Sequence, residues 1–419
     1  MPVNNKSELK NQSNGELILI LDISNGGLEA NLFRYNGEID KSTLVGCYQQ
    51  ILPRDFLLES SVADEKTFDL LFRAISNNLA LRESEQIKYL FLVGPTDSLT
   101  GRIFAFKIQR SNQQEKIDSR EIENVLIKTT SQIKDKIRED VKKQSTNDGT
   151  MNLVDALLLR LAVDGYVVDD FEGMTGQQLE GQIFYIYAIE KFWRSWQKIL
   201  AKFKYQEVFL LPRFWPLIQS LPQDDGLVVD ISDQTTGVSL RRRGLLVGHL
   251  SFNIGFMSFR TVVAESLGVG SEEAIEIYDS YLHQRLSPQA TAGLKEIFAP
   301  IEKQWLDALV LSLRDLATNA VLPNNIFISS PYEKFCNVGA GLKNVLAQET
   351  RLFIDSNSIL INKFDYLRDD FASKAALAQD DKKALNNVTL SILAALKDFI
   401  ARPSDIDKVL KKVIKFSQS

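Results

Sequence analysis

The sequence has little of what metal centres and histidine-based catalysis require. Its 419 residues include two cysteines, Cys47 and Cys336, and two histidines, His249 and His283. The cysteines lie far apart and lack the spacing of metal ligands, which favours a reducing compartment. With so few histidines, neither a zinc site nor a histidine-based catalytic network is expected.

Basic excess, an export signal and long apolar runs are missing as well. The formal net charge is −5, whereas a nucleic-acid-binding surface requires a marked basic excess. Residues 1–14 form a polar tail that is expected to be disordered and that has no apolar signal core. No run of about 20 apolar residues is present to span a bilayer. We therefore expect a cytoplasmic protein with no nucleic-acid partner.

Two similar hairpins are the clearest pattern that is present. Leu17 to Ile23 is an apolar run that predicts a buried strand, and Asn25-Gly26-Gly27 predicts the turn into a second strand. The pattern returns about 200 residues later, so that DISNGGLEANLFRYNG at 22–37 parallels DISDQTTGVSLRRRG at 230–244. The aspartate stands at the same place in each segment. Two such hairpins indicate a duplicated α/β lobe.

The intervening and following segments predict further elements. Apolar residues at helical spacing predict an amphipathic helix around 68–79 and a long helix at 119–143. Strands are expected at 103–108, 156–163, 166–168 and 182–187. The third region predicts helices at 256–267, 272–284 and 302–320, a strand at 326–329 and mostly helix over 375–401.

Paired hairpins that carry aspartate have a chemical use. Backbone N–H groups in each turn can hold phosphate oxygens, and two aspartates can hold Mg²⁺ through its water ligands. The candidate nucleotide residues are Asp22, Ser24, Asn25, Asp230, Thr235 and Thr236, with Asp22 and Asp230 as the metal-associated pair. The alternative is that these are ordinary turn residues, because Asp, Asn, Ser and Thr often cap turns. No general base for phosphoryl transfer can be identified, so no catalytic residue is assigned.

Two strings carry a resemblance to a known family. DISDQTTGVSLRRRGLLVGHLSFNIG resembles the second phosphate segment of the bacterial cell-division protein FtsA and of its pilus relative PilM. DGYVVDDFEGMTGQQLEGQIFYI, at 164–186, resembles the FtsA insert, also called the SHS2 domain. The resemblance implies a two-lobed actin-like ATPase fold, with duplicated ribonuclease-H-like lobes and an inserted α+β subdomain. It also implies ATP with Mg²⁺ as the ancestral cofactor.

The resemblance suggests where the subdomains begin and end. The first lobe is expected at 15–110 and 205–225, with the insert at 111–204. The second lobe is expected at 226–255 and 326–400, with a helical subdomain at 256–325. A linker and a basic amphipathic helix complete the chain at 401–419.

Four positions depart from the family pattern at the nucleotide contacts. Ser232-Asp233-Gln234 replaces a glycine run, and a carboxylate at Asp233 would repel phosphate. The downstream Gly-Gly is Gly255-Phe256, the adenosine-contacting Ala-Glu-x-x-Lys is 274–278 (AIEIY), and the late Gly-Gly loop is 329–331 (SSP). These departures predict that nucleotide binding is weakened or lost, although ATP with Mg²⁺ remains a possible cofactor.

The last residues predict a basic amphipathic helix. Ser404 and Asp407 form a capping box. A membrane-binding face is expected from the apolar and basic residues that follow: Ile406, Lys408, Val409, Leu410, Lys411, Lys412, Val413, Ile414, Lys415 and Phe416. Such a helix can lie in a membrane interface, or it can dock on the body of the protein or remain solvated.

Three functions are compatible with these observations. The first is an FtsA-like adaptor that self-assembles as a filament or dimer on the inner face of the cell membrane and recruits division proteins such as the tubulin-like FtsZ. The second is a PilM-like cytoplasmic component of type IV pilus or secretion assembly. The third is an active ATPase or sugar-kinase-type enzyme, which the missing glycines disfavour.

Overall fold

The structure is a computed structural model. It describes residues 15–24, 27–37, 42–52, 65–82, 85–144, 151–168, 173–317, 321–330, 337–348, 352–353, 355, 358–368, 385–400, 410 and 413–414. Of the candidate residues, Asn25, Ile406, Lys408, Val409, Lys411, Lys412, Lys415 and Phe416 lie outside this part of the chain.

Strands and helices alternate along the chain. The first half contains β1 (Glu16–Ser24), β2 (Gly27–Tyr35), β3 (Thr43–Ile51), α1 (Glu65–Asn78), β4 (Ile87–Gly94), β5 (Leu99–Gln109), α2 (Ser119–Gln144), β6 (Met151–Val163), β7 (Tyr166–Val167), β8 (Gln178–Ile189), α3 (Glu190–Leu200) and β9 (Tyr205–Pro212). The second half contains α4 (Phe214–Gln219), β10 (Gly226–Ile231), β11 (Thr236–Arg242), β12 (Leu245–Phe252), α5 (Phe256–Leu267), α6 (Ser271–Leu282), α7 (Pro288–Leu316), β13 (Asn325–Ser329), α8 (Asn337–Gln348), β14 (Leu360–Lys363), α9 (Asn387–Ala394) and α10 (Leu396–Ile400).

Two five-stranded sheets repeat one topology. Their strand orders are β3-β2-β1-β4-β9 and β12-β11-β10-β13-β14. In each sheet a central strand pairs in parallel with the next strand, as β1 does with β4 and β10 with β13. The predicted duplication of an α/β lobe is therefore confirmed.

The chain separates into two compact units, one for each five-stranded sheet. The first unit contains the described parts of Met1–Ile23, Leu28–Pro212 and Ala395–Ser419, and the second contains those of Ser24–Gly27 and Arg213–Ala394. The core of the second unit forms where α5, α6 and α7 cover β10 and β11 around the buried Trp305.

The insert is a four-stranded sheet with one helix, in the order β5-β8-β6-β7. Its helix α2 was predicted at 119–143 and is confirmed. Apolar side chains of α2 and of β8 form one core cluster. The Asp-Gly-Tyr stretch of the insert makes the turn from β6 to β7, where Asp164 and Gly165 both adopt positive φ angles of 51° and 84°. This conformation favours Asp-Gly in two-residue hairpins.

Several expected boundaries differ from those of the sheets and of the compact units. The strand at 103–108 was assigned to the first lobe, but β5 runs from Leu99 to Gln109 and pairs along its length with β8 of the insert. The segment 213–225 was also placed there, yet it belongs to the second unit. Conversely, α10 belongs to the first unit, where the Phe399 ring lies 5.7 Å from that of Phe91. A strand's own pattern does not encode which neighbour it pairs with, which explains the misplacement of β5.

The helix expected at 302–320 starts 14 residues earlier, at Pro288. Ser287 caps it, because its Oγ accepts a hydrogen bond from the Ala290 N–H at 3.2 Å, and proline is favoured at the first helical position. Pro300 lies inside the helix, where the missing N–H costs one backbone hydrogen bond. The apolar contacts of Phe298, Ile301 and Trp305 with the core of the second unit hold the helix together across it.

Candidate functional site

The second aspartate hairpin lies at the carboxyl end of two parallel strands. Asp230 is the penultimate residue of β10, where it stands opposite Gly237 of β11 and Ser329 of β13. In open α/β sheets this edge is where ligands commonly bind. Asp230 is nevertheless almost completely buried.

An arginine is paired with this aspartate. The Arg213 Nε donates to Asp230 Oδ2 at 3.1 Å, and the two side chains are only 8% and 4% exposed. Arg213 directly precedes α4 in an otherwise apolar run, Phe209–Ile218. Sequence reasoning did not identify Arg213, although a lone charge among apolar residues was the available signal, because a buried charge needs a partner.

The hairpin turn between β10 and β11 is closed by its own side chains. Ser232 Oγ donates to the Thr235 carbonyl at 2.9 Å and lies 3.1 Å from Thr235 Oγ1, and both residues are buried. The Ser232 N–H also donates to the Thr235 carbonyl. The Thr235 hydroxyl therefore makes a local contact within the turn, a common arrangement for Ser and Thr in turns.

The turn also covers the first amides of α5. The Phe256 N–H donates to the Ser232 carbonyl at 3.1 Å, and the Met257 N–H donates to the Asp233 carbonyl at 2.7 Å. A Cβ atom at Gly255 would lie 2.3 Å from the Ser232 oxygen, so only glycine allows this approach. Free amides at a helix N-terminus attract anions. Here these two amides are occupied by carbonyls.

Thr236 is a structural residue. Its Oγ1 donates to the Ile254 carbonyl at 2.7 Å and accepts a hydrogen bond from Trp305 Nε1 at 2.9 Å. Thr236 is fully buried. The Thr236 hydroxyl therefore uses both its donor and an acceptor site within the second unit.

Asp233 is the carboxylate nearest to the tip of this hairpin. Burial raises the pKa of the Asp233 carboxyl, and the attraction of Arg260 and Arg213 offsets this only in part. Arg260 Nη1 lies 4.0 Å from Asp233 Oδ1, at the limit of an ion pair. The charged form of Asp233 is therefore held at a cost to the folded state.

We expect Asp233→Asn to raise the free energy of unfolding at neutral pH. A folded-state pKa above the unfolded value means that the protonated carboxyl favours folding, so the wild-type protein loses stability as the pH rises through the folded pKa. Asparagine removes that loss. Urea denaturation from pH 3 to pH 8 should show equal stabilities at the acid end and a growing advantage of the variant above it.

Asp307→Asn provides the matched control for this experiment. Asp307 is exposed on α7, and surface substitutions usually change stability by less than about 0.5 kcal/mol. A constant difference between Asp233→Asn and the wild type at every pH would contradict the proposed role of burial.

The positions that the resemblance aligns with adenosine contacts are core residues. Tyr278 is almost completely buried, with its ring 5.6 Å from that of Phe298. Ala274 belongs to the same core cluster. At the late loop, Ser329 is buried at the end of β13 and Pro331 lies outside the described residues.

The first hairpin is described up to its turn. Asp22 is buried near the carboxyl end of β1, opposite Val93 of β4, and Ser24 is the last residue of that strand. Asp22 and Asp230 thus occupy equivalent places in the two sheets. Within the described residues, no group of three or more His, Cys, Asp or Glu side chains is placed to hold a metal ion.

The residues of the second hairpin do not fit Mg·ATP. Asp230 is already paired with a cation, the hydroxyls of Thr235 and Thr236 are bonded internally, and the Phe256 and Met257 amides are bonded to the turn. The partly buried Asp233 side chain, which is 20% exposed, adds an acidic group that disfavours phosphate. The segment 232–234, which departs from the expected glycine run, therefore lies in a turn whose polar groups are bonded within the chain.

The expected membrane-binding face is partly described. Leu410, Val413 and Ile414 are helical in the structure and are 0%, 3% and 4% exposed, in the core cluster of the insert. Burial of an aliphatic side chain contributes about 1.5–3 kcal/mol, so this docking is substantial. In a separate observation, no helix within the described part of the chain is long and apolar enough to cross a membrane.

Comparisons with known proteins show the fold. No protein-family model matches the sequence, and no curated protein matches it. A solved structure described as a PilM-PilN type IV pilus biogenesis complex is 12% identical, with a TM-score of 0.56 over 92% of this chain and 98% of that chain.

Two further solved structures have lower TM-scores. The ethanolamine utilization protein EutJ from Carboxydothermus hydrogenoformans is 11% identical over 91% of both chains, with a TM-score of 0.42. A Bacteroides thetaiotaomicron protein with an actin-like ATPase fold is 8% identical over 90% of this chain and 96% of that chain, with a TM-score of 0.38. The duplicated sheets and the likeness to the PilM-PilN structure establish a two-lobed actin-like ATPase fold for this chain.

Proposed function

We propose that this chain is an actin-like scaffold that binds protein partners and does not depend on Mg·ATP. The carrying observation is the buried ion pair between Arg213 and Asp230. In an active protein of this fold the aspartate would help to hold a magnesium ion through water. Here a permanent guanidinium supplies the positive charge from within the chain.

Nucleotide binding at this hairpin would have to reverse the pairing. Separating two buried charges leaves each one uncompensated, which typically costs about 3–5 kcal/mol. The turn would also have to release the α5 amides that it covers. These costs disfavour the third hypothesis, an active ATPase or kinase.

We expect Mg·ATP to leave the thermal unfolding midpoint unchanged. A ligand at 100 times its Kd stabilises the folded state by about 2.7 kcal/mol, which corresponds to a shift of roughly 5–10 °C for a unit of about 200 residues. If the Kd were about 10 µM, a shift of this size would be seen with 1 mM Mg·ATP. Calorimetric titration and a phosphate-release assay complete the measurement.

Magnesium sulphate without nucleotide is the control for salt effects. A shift of about 5 °C or more that requires both ATP and magnesium, or steady release of phosphate, would overturn the nucleotide-independent scaffold. Neither outcome is expected, because the groups that would bind phosphate are bonded to one another.

An FtsA-like adaptor is the more specific form of this proposal. In that role the chain self-assembles on the inner face of the membrane and recruits division proteins, including FtsZ-like partners. The sequence of the last 16 residues supports it, since aliphatic residues alternate there with four lysines. Negative-stain microscopy should show ordered assemblies on anionic vesicles, with and without ATP, and none after removal of residues 403–419.

A PilM-like role is the second candidate, and the likeness to the PilM-PilN complex favours it. In that role the chain is a cytoplasmic part of a pilus or secretion assembly and binds a segment of a partner protein. The two candidates differ in what the C-terminal residues are needed for. A PilM-like chain would keep its partner affinity after truncation at Arg402, whereas an FtsA-like chain would lose its membrane assembly.

A further inference from the structure

Strand β3 forms one end of its five-stranded sheet. Within the described residues it pairs with β2 and with no second strand. Such an edge is a template for pairing with another chain, and proteins usually protect it with charged residues, proline, bulges or a short length. β3 has nine residues, and its sequence TLVGCYQQI contains no charged residue and no proline.

The other edge strands of the three sheets carry such protection. β5 includes Arg102 and Lys107, and β9 includes Glu207. β14 has four residues that end in Lys363, and β7 has two residues. β12 is neutral as well, but its pairing with β11 contains a register irregularity, and a bulge twists an edge away from a partner. Among the described strands, β3 is therefore the long edge whose sequence offers no protection.

One face of β3 is partly exposed. Gly46 lies against the segment that ends α1, because a Cβ atom added to it would be 3.1 Å from the Leu79 Cα. Alternate residues of a strand point to opposite faces, so Val45, Cys47 and Gln49 share the other face. Val45 is 41% exposed, Gln49 is exposed and Cys47 is half-buried. A strand added beside β3 would therefore bury no charged side chain of β3 itself.

We propose that β3 pairs with β3 of a second copy of this chain, in antiparallel orientation about a two-fold axis. In such an isologous contact the same residues meet from both sides. Like charges directly opposite each other destabilise a strand pair, so self-pairing suits a neutral strand and disfavours the charged edges. The contact gives the proposed scaffold, on which this inference rests, a surface for self-association that requires neither nucleotide nor membrane.

The symmetry of the strand sets the register of this pairing. Pairing over the full length of Thr43–Ile51 places Cys47, its middle residue, opposite Cys47 of the second copy. Residues directly opposite in antiparallel strands have Cα atoms about 4.5–5.5 Å apart, and a disulfide spans Cα distances of about 4.4–6.8 Å. Oxidation of Cys47 is therefore a reporter of the contact.

Crosslinking of the full chain tests the contact directly. With copper phenanthroline and oxygen, two Cys47 thiols should lose two protons and two electrons to the oxidant and form one S–S bond between two chains. The covalent dimer should be kept in Cys336→Ser, which removes the other cysteine of the chain, and lost in Cys47→Ser. A dimer that persists in Cys47→Ser and disappears in Cys336→Ser would overturn the inference.

Charge substitution is a second test that needs no oxidant. Cys47→Lys places two like charges opposite each other and should weaken the dimer about fivefold, as measured by sedimentation over a concentration series in reducing buffer. Cys47→Glu should have the same effect. An equimolar mixture of the two variants should recover the dimer, which a misfolded β3 could not do. The matched control is Val247→Lys, because Val247 is 53% exposed on the neutral edge strand β12, and it should leave the dimer unchanged.

The outcomes distinguish failure of this contact from failure of the proposed function. If the wild type sediments at twice the chain mass of 47.3 kDa and neither Cys47 variant changes this, the chain self-associates through another surface. The β3 contact is then overturned and the self-assembling scaffold stands. If the wild type sediments as a monomer at every concentration, the β3 contact and the self-assembling adaptor both fail, and the PilM-like candidate remains.

Discussion

Replacing Arg213 with alanine is expected to cost about 3–5 kcal/mol of unfolding free energy, because it leaves a buried carboxylate without its partner. The Arg213 and Asp230 side chains are 8% and 4% exposed, so water cannot compensate the remaining charge. The next residue, Phe214, is also buried, and its ring centroid lies 3.6 Å from that of His249. The cost should appear in the second unit, to which all of these residues belong.

Hydrogen exchange of β10 and β11 measures this effect where it arises. In a chain of two units, a single global transition is not required, whereas amide exchange reports the stability of the strands that flank the pair. Arg213→Ala should therefore speed exchange of these strands by roughly two to four orders of magnitude, since 1.4 kcal/mol corresponds to a factor of ten.

A double variant separates charge pairing from packing. Replacing both partners of a buried ion pair by apolar residues is often neutral or stabilising, so Arg213→Leu with Asp230→Leu should recover most of the lost protection. If Arg213→Ala alone leaves exchange unchanged, the pair contributes nothing and the account of Asp230 is wrong. If the double variant is as unprotected as the single one, packing and not pairing is the cause.

The hairpins could be predicted because their signals are local. Asp-Gly at 164–165 fixes a turn by its positive φ angles, and the repeated Asp-Ile-Ser marks the ends of β1 and β10. Helix α5 was predicted at its observed bounds because its apolar spacing lies within 12 residues. Such elements depend on residues that are close in the sequence, so hydrophobic periodicity predicts them directly.

The occupants of the candidate site could not be predicted in the same way. Arg213 precedes its partner Asp230 by 17 residues, and nothing in the spacing indicates that the two meet. The same holds for Thr236 and Trp305, which are 69 residues apart. The composition at 232–234 predicts a weakened phosphate site, but only the tertiary contacts identify the groups to which Asp230, Thr235 and Thr236 are bonded.

The docked C-terminal segment illustrates the limit of amphipathic patterns. An aliphatic helix face predicts burial against an apolar surface, but it does not identify that surface. Three of these residues lie in the insert core, as the docked alternative expected. The lysines around them lie outside the described residues, so the membrane interpretation stays a prediction.

The second large effect is expected at Arg110, whose side chain connects several segments of the insert. Its Nε and Nη2 donate to the two oxygens of Glu121 at 2.7 Å, and further bonds reach the carbonyls of Gly176 and Glu115 at 2.9 and 3.0 Å. The Arg110 side chain is 2% exposed. One guanidinium thus joins the end of β5 to α2 and to the segment before β8.

Arg110→Ala should lower the local stability of the insert by about 2–4 kcal/mol. Two carbonyls lose their donor, at about 1–3 kcal/mol each where they are buried, while Glu121 is 32% exposed and can be hydrated in part. Lysine should not rescue the variant, because a point charge lacks the planar fork that binds both carboxylate oxygens. Hydrogen exchange of β5 and α2 is the measurement.

Arg120→Ala on the same helix is the matched control, since Arg120 is exposed and surface substitutions are usually within about 0.5 kcal/mol. If the C-terminal helix docks on an insert core that Arg110 keeps ordered, Arg110→Ala should also deprotect the segment around Leu410, although the two positions are 300 residues apart in the sequence. Fast exchange of β5 with unchanged protection around Leu410 would show that the helix docks on a part of the insert that does not need this arginine. Joint loss of both would show that one cooperative core includes the insert and the C-terminal helix.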